Sequence, residues 1–297
     1  MPEEEPQPQP TDAVLGGMGV QPRPYDAVLG GKTKDMMPEE AVRKIERAIS
    51  EKLMGLNLSQ LNLKELPPEI VNCTHLTRLD LSRNQITSIP DAIGQLSSLT
   101  ELNLSYNQIT SIPENIGRLS NLARLYLGNN QITSIPDAIG QLRNLTLLSL
   151  PNNQITSIPE ALGQLSSLTK LYLNNNKITS IPETFGQLAN LKSLYLNSNQ
   201  ITAIPETFGQ LSNVKLLNLS YNQLTSIPEA FGELGNLTLL YLSNNDITSI
   251  PETFGQLLNL KWLTVYNNQI TSIPNVISNM KKLEKLDLWG NPIPTRP

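Results

Sequence analysis

Leucines and isoleucines recur along most of this chain in the phrase LxxLxLxxNxITSIPxxIGQLxx, which returns every 23 residues from Leu53 to the C-terminus. A period of that length marks a stack of similar units. Its register is readable on the asparagine after each LxxLxL, which falls at Asn84, Asn107, Asn130, Asn153, Asn176, Asn199, Asn222, Asn245, Asn268 and Asn291 with no insertion or deletion. The first copy starts at Leu53 with Leu61 in place of asparagine, and the last starts at Leu283, so residues 53–297 hold ten full repeats and one partial. One unit cannot bury its own leucines, whereas stacked units close a continuous core, and stability then grows with repeat number. Within a unit Leu79, Leu81 and Ile86 are expected to point inward, followed by Ile89, Ile93 and Leu96.

Ahead of the array the period changes. Val42, Ile45, Ile49 and Leu53 are spaced for one helical face, with Ala41 and Ala48 beside it and charged residues opposite, which predicts an amphipathic helix over residues 36–54. Asp35 or Thr33 suits its cap, Pro38 a first turn, and Gly55 stands where a helix ends. The expected job of this helix is to cover the open end of the first repeat, where Leu61 offers it an apolar neighbour; docking a partner is the alternative. Residues 1–35 are rich in proline and glycine and read as a disordered tail. The tail contains 10-PTDAVLGG-17 and 24-PYDAVLGG-31, either part of a flexible tether or a peptide recognised by a partner or by a protease cutting after Gly17 or Gly31.

Residues such as 76-LTRLDLSRNQITSIP-90 resemble the leucine-rich repeat family, and the resemblance covers about four-fifths of the chain. It implies an α/β solenoid shaped as a horseshoe. Each LxxLxL would be a strand of a parallel sheet on the concave side, each TSIPxxIGQL a short helical or 3-10 segment on the convex side, and the N-terminal helix a cap. The duplicated DAVLGG is similar to phrases ahead of repeat arrays in cyanobacterial proteins. The C-terminal 286-LDLWGNPIPTRP-297 resembles the junction at which many bacterial members, including the Roco group, pass into another domain, although this chain has no GTPase segment. Trp289 is expected to shield the last coil, and its prolines to discourage further strand pairing. The chain is then either a short family member or part of something longer.

The recurring polar and special residues have structural readings first. A buried amide at Asn84 and its equivalents would satisfy turn backbone groups that otherwise cost about 1 to 3 kcal/mol each when left unpaired. The proline and glycine of each arc, Pro90 and Gly94 for example, fix a bend and let neighbouring coils approach. Cys73, the sole cysteine, takes a place held elsewhere by Leu96 or Leu119 and reads as a small buried hydrophobe, which excludes disulfides within the chain. His75, the only histidine, falls at the last position of its repeat on the expected solvent side, so no nucleophile and base pair up. Asp80 and Glu101 lie on an exposed sheet where nothing would separate their pKa values. Clustered metal ligands are missing, and no cofactor is expected. Gly31-Lys32-Thr33 echoes a phosphate loop, but Asp26 stands where its first glycine belongs and no buried strand precedes it.

Composition narrows the rest. A net charge of −4 gives nucleic acid no basic footprint, and no run of 18 apolar residues exists. The start MPEEEPQPQP has neither a basic nor an apolar secretion-signal stretch, so a cytoplasmic location is expected and sequons such as Asn72-Cys73-Thr74 and Asn144-Leu145-Thr146 carry no weight. No membrane partner is expected.

Function falls to the third and fifth positions of each repeat, which alternate outward between the leucines. Early repeats place charge there, with Arg78, Asp80, Glu101, Arg124 and Lys170, together with Tyr126. Later ones place Tyr172, Tyr195, Leu216, Leu239, Tyr241 and Trp262. Aromatic and aliphatic anchors on a rigid surface suit protein interfaces, although tyrosines stacking along a sheet also stabilise it without any partner. Ten strand spacings of about 4.8 Å give a face about 50 Å long, too open for a small metabolite. The expectation is a non-enzymatic module binding a protein or extended peptide. The alternatives are a sensing or scaffolding part of a larger signalling protein, and a surface protein binding host or matrix ligands. A monomer is expected, with end-to-end association open to it through the weakly capped C-terminus.

Overall fold

The computed structural model describes residues 37–294. The tail over residues 1–35, its DAVLGG phrases, the Gly31-Lys32-Thr33 comparison and the caps at Thr33 and Asp35 lie outside the described residues, as does Pro297.

Each LxxLxL centres a strand of three residues: β1 (Gly55–Asn57), β2 (Arg78–Asp80), β3 (Glu101–Asn103), β4 (Arg124–Tyr126), β5 (Leu147–Ser149), β6 (Lys170–Tyr172), β7 (Ser193–Tyr195), β8 (Leu216–Asn218), β9 (Leu239–Tyr241), β10 (Trp262–Thr264) and β11 (Lys285–Asp287). They form one parallel sheet in chain order. Because the interval between strands equals the repeat, Leu79 stands opposite Leu102 and Leu102 opposite Leu125, and every strand meets the next in the same register. The fold is the expected leucine-rich repeat solenoid.

The way out of each strand turns on a residue in the left-handed region, as at Arg83 (φ 56), Asn129 (φ 57) and Asn175 (φ 56). Asparagine tolerates that region best after glycine, which accounts for its frequency just before the repeat asparagine. The chain then runs back to a proline. Pro90 is extended (φ −70, ψ 150), and its carbonyl accepts the N–H of Ile93 at 3.0 Å, closing a 3-10 turn over Asp91–Gln95. A proline ring fixes φ there and its missing N–H costs nothing. Nine such turns, from Pro68–Asn72 to Glu252–Gln256, occur among the described residues, and a short helix, Asn275–Ser278, takes the next place. Coils crowd at the arc glycine, since a Cβ on Gly94 would stand 2.6 Å from the carbonyl oxygen of Asn115.

Leu79, Leu81, Ile86, Ile89, Ile93 and Leu96 are all buried, as are their equivalents as far as Leu257, whereas in the next coil Ile273 is exposed and Met280 half-buried. One core position changes along the stack: Ile70, Ile93, Ile116, Ile139 and Leu162 give way to Phe185, Phe208, Phe231 and Phe254 before Ile277. Phe208 lies between its neighbours, with ring centroids 6.0 Å from Phe185 and 6.2 Å from Phe231 and planes nearly parallel.

The repeat asparagines bridge coils. Asn176 donates from Nδ2 to Leu173 O in its own coil and Leu150 O in the preceding one, both at 3.0 Å, and its Oδ1 accepts the N–H of Ile155 at 3.0 Å. The pattern repeats from Asn84 to Asn291. A second ladder lies at the end of the arc, where Asn121, Asn144, Asn190, Asn213, Asn236 and Asn259 each donate to a carbonyl of the coil before. These amides are exposed, so water replaces them cheaply. Asn213→Ala, which loses the 2.8 Å bond to Ala189 O, should cost about 0.5 to 1 kcal/mol, read as a small fall in the denaturant midpoint.

At the N-terminal end α1 (Met37–Ser50) buries Ala41, Ile45 and Ala48 and packs on β1 and the first 3-10 turn. Val42, Ile49 and Leu53 are only partly buried. The packed face is thus centred on the small residues, which let the helix axis come close. His75 is half-buried and not on the solvent side: its Nε2 lies 3.0 Å from Ala48 O and ties the first coil to α1. Cys73 is fully buried, and burial pushes its thiol pKa up. At the other end Leu283, Leu286 and Leu288 are half-buried, and Trp289, expected to shield them, is 75% exposed.

Candidate protein-binding face

The strand register sets out the open face of the sheet as two rows. The third-position row runs Arg78, Glu101, Arg124, Leu147, Lys170, Ser193, Leu216, Leu239, Trp262 and Lys285. The fifth-position row runs in step with it from Asp80 to Asp287.

In the early repeats, Arg124 Nη1 meets Glu101 Oε2 at 3.0 Å. At that exposure the pair contributes about 1 kcal/mol at most, so both groups remain available to a ligand. Arg78 and Lys170 are exposed. Asp80 has a local duty that its residue type alone does not reveal: its Oδ1 accepts the N–H of Ser82 at 2.9 Å, as Asn103 does for Ser105 and Asn218 for Ser220. Aspartate or asparagine there braces the end of the strand.

In the later repeats the expected aromatic and aliphatic residues do come together. Leu216, Leu239 and Trp262 are consecutive partners across β8, β9 and β10, and Lys285 Nζ sits 5.7 Å from the Trp262 ring centroid. Tyr172 and Tyr195 stack with centroids 4.9 Å apart and planes 14° from parallel. Tyr241 neighbours Thr264, which is buried. Trp262 is 40% exposed, whereas the two leucines and the four tyrosines of the row are half-buried. Burial is the main cause that lifts the phenol pKa of Tyr126, Tyr172, Tyr195 and Tyr241, with the Glu101 carboxylate adding at Tyr126 and the neighbouring phenols at Tyr195.

Reading only the third and fifth positions misses the next turn. Tyr106 and Tyr221 occupy the left-handed position (φ 59 and 58) and are 42% and 54% exposed. An aromatic residue there carries a backbone cost of about 1 kcal/mol or more that asparagine largely avoids. Arg83 lies over the Tyr106 ring at 4.9 Å, and the Tyr266 phenol is raised in pKa by burial first and by the neighbouring Tyr221 phenol next. The signal was available in the sequence, as tyrosine among the asparagines just before the repeat asparagine.

Among the described residues no three His, Cys, Asp or Glu side chains gather as metal ligands, and no helix is long and apolar enough to cross a membrane.

Leucine rich repeat models match residues 51–109, 143–201 and 192–247, and models of paired leucine rich repeats match residues 97–140 and 258–296. No curated protein matches the chain. Among solved structures, a leucine-rich repeat protein of Leptospira interrogans is 35% identical with a TM-score of 0.76, over 85% of this chain and 71% of that one. A plant peptide hormone receptor, RGFR1 in complex with RGF2, is 33% identical with a TM-score of 0.71 over 76% of this chain, which spans only 37% of the receptor chain. The functional domain of InlJ from Listeria monocytogenes, 22% identical with a TM-score of 0.68 over 86% of this chain and 61% of that domain, shares the fold. With matched segments over more than half of its residues, and with the fold and coil-bridging asparagines described above, the chain belongs to the leucine-rich repeat family.

Proposed function

We propose that this chain is a non-enzymatic interaction module that takes a protein or an extended peptide on the open face of its sheet, with the later repeats contributing most. The carrying observation is the contiguity of Leu216, Leu239 and Trp262 beside Tyr172, Tyr195 and Tyr241 on strands locked in one register. Large side chains on a rigid backbone lose little entropy on binding and supply the anchors that dominate interfaces. The likeness to a receptor solved with its peptide hormone supports a peptide as one form of ligand. Arg78, Asp80, Glu101, Arg124, Tyr126 and Lys170 would then set charge preference at the other end of the face.

Replacing Tyr195, Tyr241 and Trp262 together by alanine should lower capture of a partner from the source cell's lysate at least tenfold, since each such anchor contributes about 1 to 2 kcal/mol or more. All three side chains lie outside the buried core, so circular dichroism and hydrogen exchange should be unchanged. Undiminished capture would move the binding site to the tail or the arc side.

A further inference from the structure

We propose that the free edge of β11 is a contact between two copies of this chain, whose β11 strands pair antiparallel about a two-fold axis through Leu286. This does not rest on the reading of the sheet face as a protein-binding surface.

At this edge, backbone groups and apolar side chains that inner coils cover are left open. Only β10 pairs with β11. On that side the N–H of Lys285 donates to Lys261 O at 3.0 Å, and Asp287 O and Trp289 O accept the N–H groups of Val265 and Asn267 at 2.9 and 2.8 Å. Alternate residues of a strand turn their backbone groups to opposite sides, so those of Leu286 and Leu288 face outward. Inner coils use the same places to hold the next coil. Val265 N–H stands where Leu288 N–H does, and Lys261 O, at the place of Glu284 O, accepts two N–H groups. Among the described residues no partner meets the N–H of Leu288 or the carbonyl of Glu284. Leu260, Leu263 and Val265 are fully buried, whereas their equivalents Leu283, Leu286 and Leu288 are half-buried. An unpaired edge backed by apolar side chains is a template for another strand.

Charge selects a second copy as the strand that fits. With the axis through Leu286, its N–H and carbonyl exchange bonds with those of the other Leu286, and each Leu288 N–H meets the Glu284 carbonyl of the other copy. The same register sets Lys285 opposite Asp287 of the other copy, and Asp287 opposite Lys285, as non-hydrogen-bonded pairs whose side chains lie close on one face. Moving the axis to Asp287 would set two carboxylates opposite each other, and moving it to Lys285 two ammonium groups. Opposite charges therefore fix one register among its neighbours. Both groups are available to it. Lys285 is exposed, with Nζ 5.7 Å from the Trp262 ring centroid, and Asp287 uses Oδ1 for the N–H of Trp289 at 3.3 Å, which leaves Oδ2. The Glu284 carboxylate is already paired with Lys261 at 2.8 Å. Antiparallel pairing also brings the strand-entry side, with Lys281 and Lys282, against the exit side, with Trp289 and Ile293, so lysine does not meet lysine. Pro292 and Pro294 lie beyond the paired stretch and end it. A contact related by a two-fold axis closes at a dimer.

The test is sedimentation velocity on the full 297-residue chain over a concentration series, with Lys285→Asp, Asp287→Lys and the double exchange beside the wild type. The wild type should form a dimer with a dissociation constant on the order of 10 to 100 μM, as suits a small interface. Each single exchange sets like charges opposite each other at both pairs and should weaken self-association about tenfold. The double exchange restores opposite charges and should return the constant to within about threefold of the wild type. Mixed in equal amounts, the two single variants again set acid against base and should form a heterodimer about as tight as the wild-type dimer. The proposal is overturned if the wild type stays monomeric to about 1 mM, which would leave the edge to a strand of another protein. It is also overturned if the wild type grows beyond a dimer, if either single exchange leaves association unchanged, or if neither the mixture nor the double exchange restores it.

Discussion

Asn176→Ala should lower the stability of the array by about 3 to 5 kcal/mol, several times the effect of removing the exposed Asn213 amide. The cost divides unequally among the groups that Asn176 contacts. Leu150 O and Leu173 O each keep a second donor, Asn153 for the first and Asn199 for the second. The N–H of Ile155 is bonded to Asn176 Oδ1, buried, and left with nothing. The orphaned donor accounts for about 1 to 3 kcal/mol, and the lost bonds to the carbonyls for the remainder. Because coils touch only their neighbours, the damage should be local. Native-state hydrogen exchange should show faster exchange centred on Ile155, with the first and last coils unaffected. A loss below 1 kcal/mol would mean that water enters and replaces the amide.

Phe208→Ala should cost about 4 to 6 kcal/mol. The side chain is fully buried, and truncating a buried phenylalanine typically removes 3 to 5 kcal/mol. Stacking on Phe185 and Phe231 adds about 0.5 to 1.5 kcal/mol. The cavity cannot close easily, since the arc glycines leave no slack between coils: a Cβ on Gly209 would stand 2.8 Å from Ala230 O. Phe208→Ile, which installs the side chain found at this place in the early coils, should lose less than half as much. Guanidinium unfolding followed by circular dichroism would compare the two, and equal losses would show that packing volume at this place is immaterial.

Much of the scaffold is legible in the sequence because its physics is periodic. Leu79, Leu81, Ile86 and Ile93 are buried for reasons that recur every 23 residues, and Asn84 bonds the turn as a buried amide there must. What escapes the period is harder to read. The arc ladder of Asn121 and Asn144 is disguised, since an exposed asparagine in a sequence this rich in asparagine carries no signal of a bond 24 residues away. The packed face of α1 turns on alanines, whose small size matters only once the helix is docked. On the sheet face, the two rows follow from the alternation of strand residues. The local duty of Asp80 and the placement of Tyr106 and Tyr221 depend on turn geometry, which a strand pattern does not carry.

The split of the arc row into isoleucine and phenylalanine coils gives an almost uniform stack a landmark. During folding, a coil can dock one unit out of turn at little cost in most places, since leucine would meet leucine and each asparagine would find its usual carbonyls, and such misassembly is a characteristic failure of repeat proteins. At the border between Leu162 and Phe185, and again between Phe254 and Ile277, a ring meets an aliphatic side chain, whereas inside the block rings lie on rings. A docking that skipped the Phe208 coil would leave the block one ring-on-ring contact short, about 0.5 to 1.5 kcal/mol, a difference that the near-identical strands do not supply for themselves.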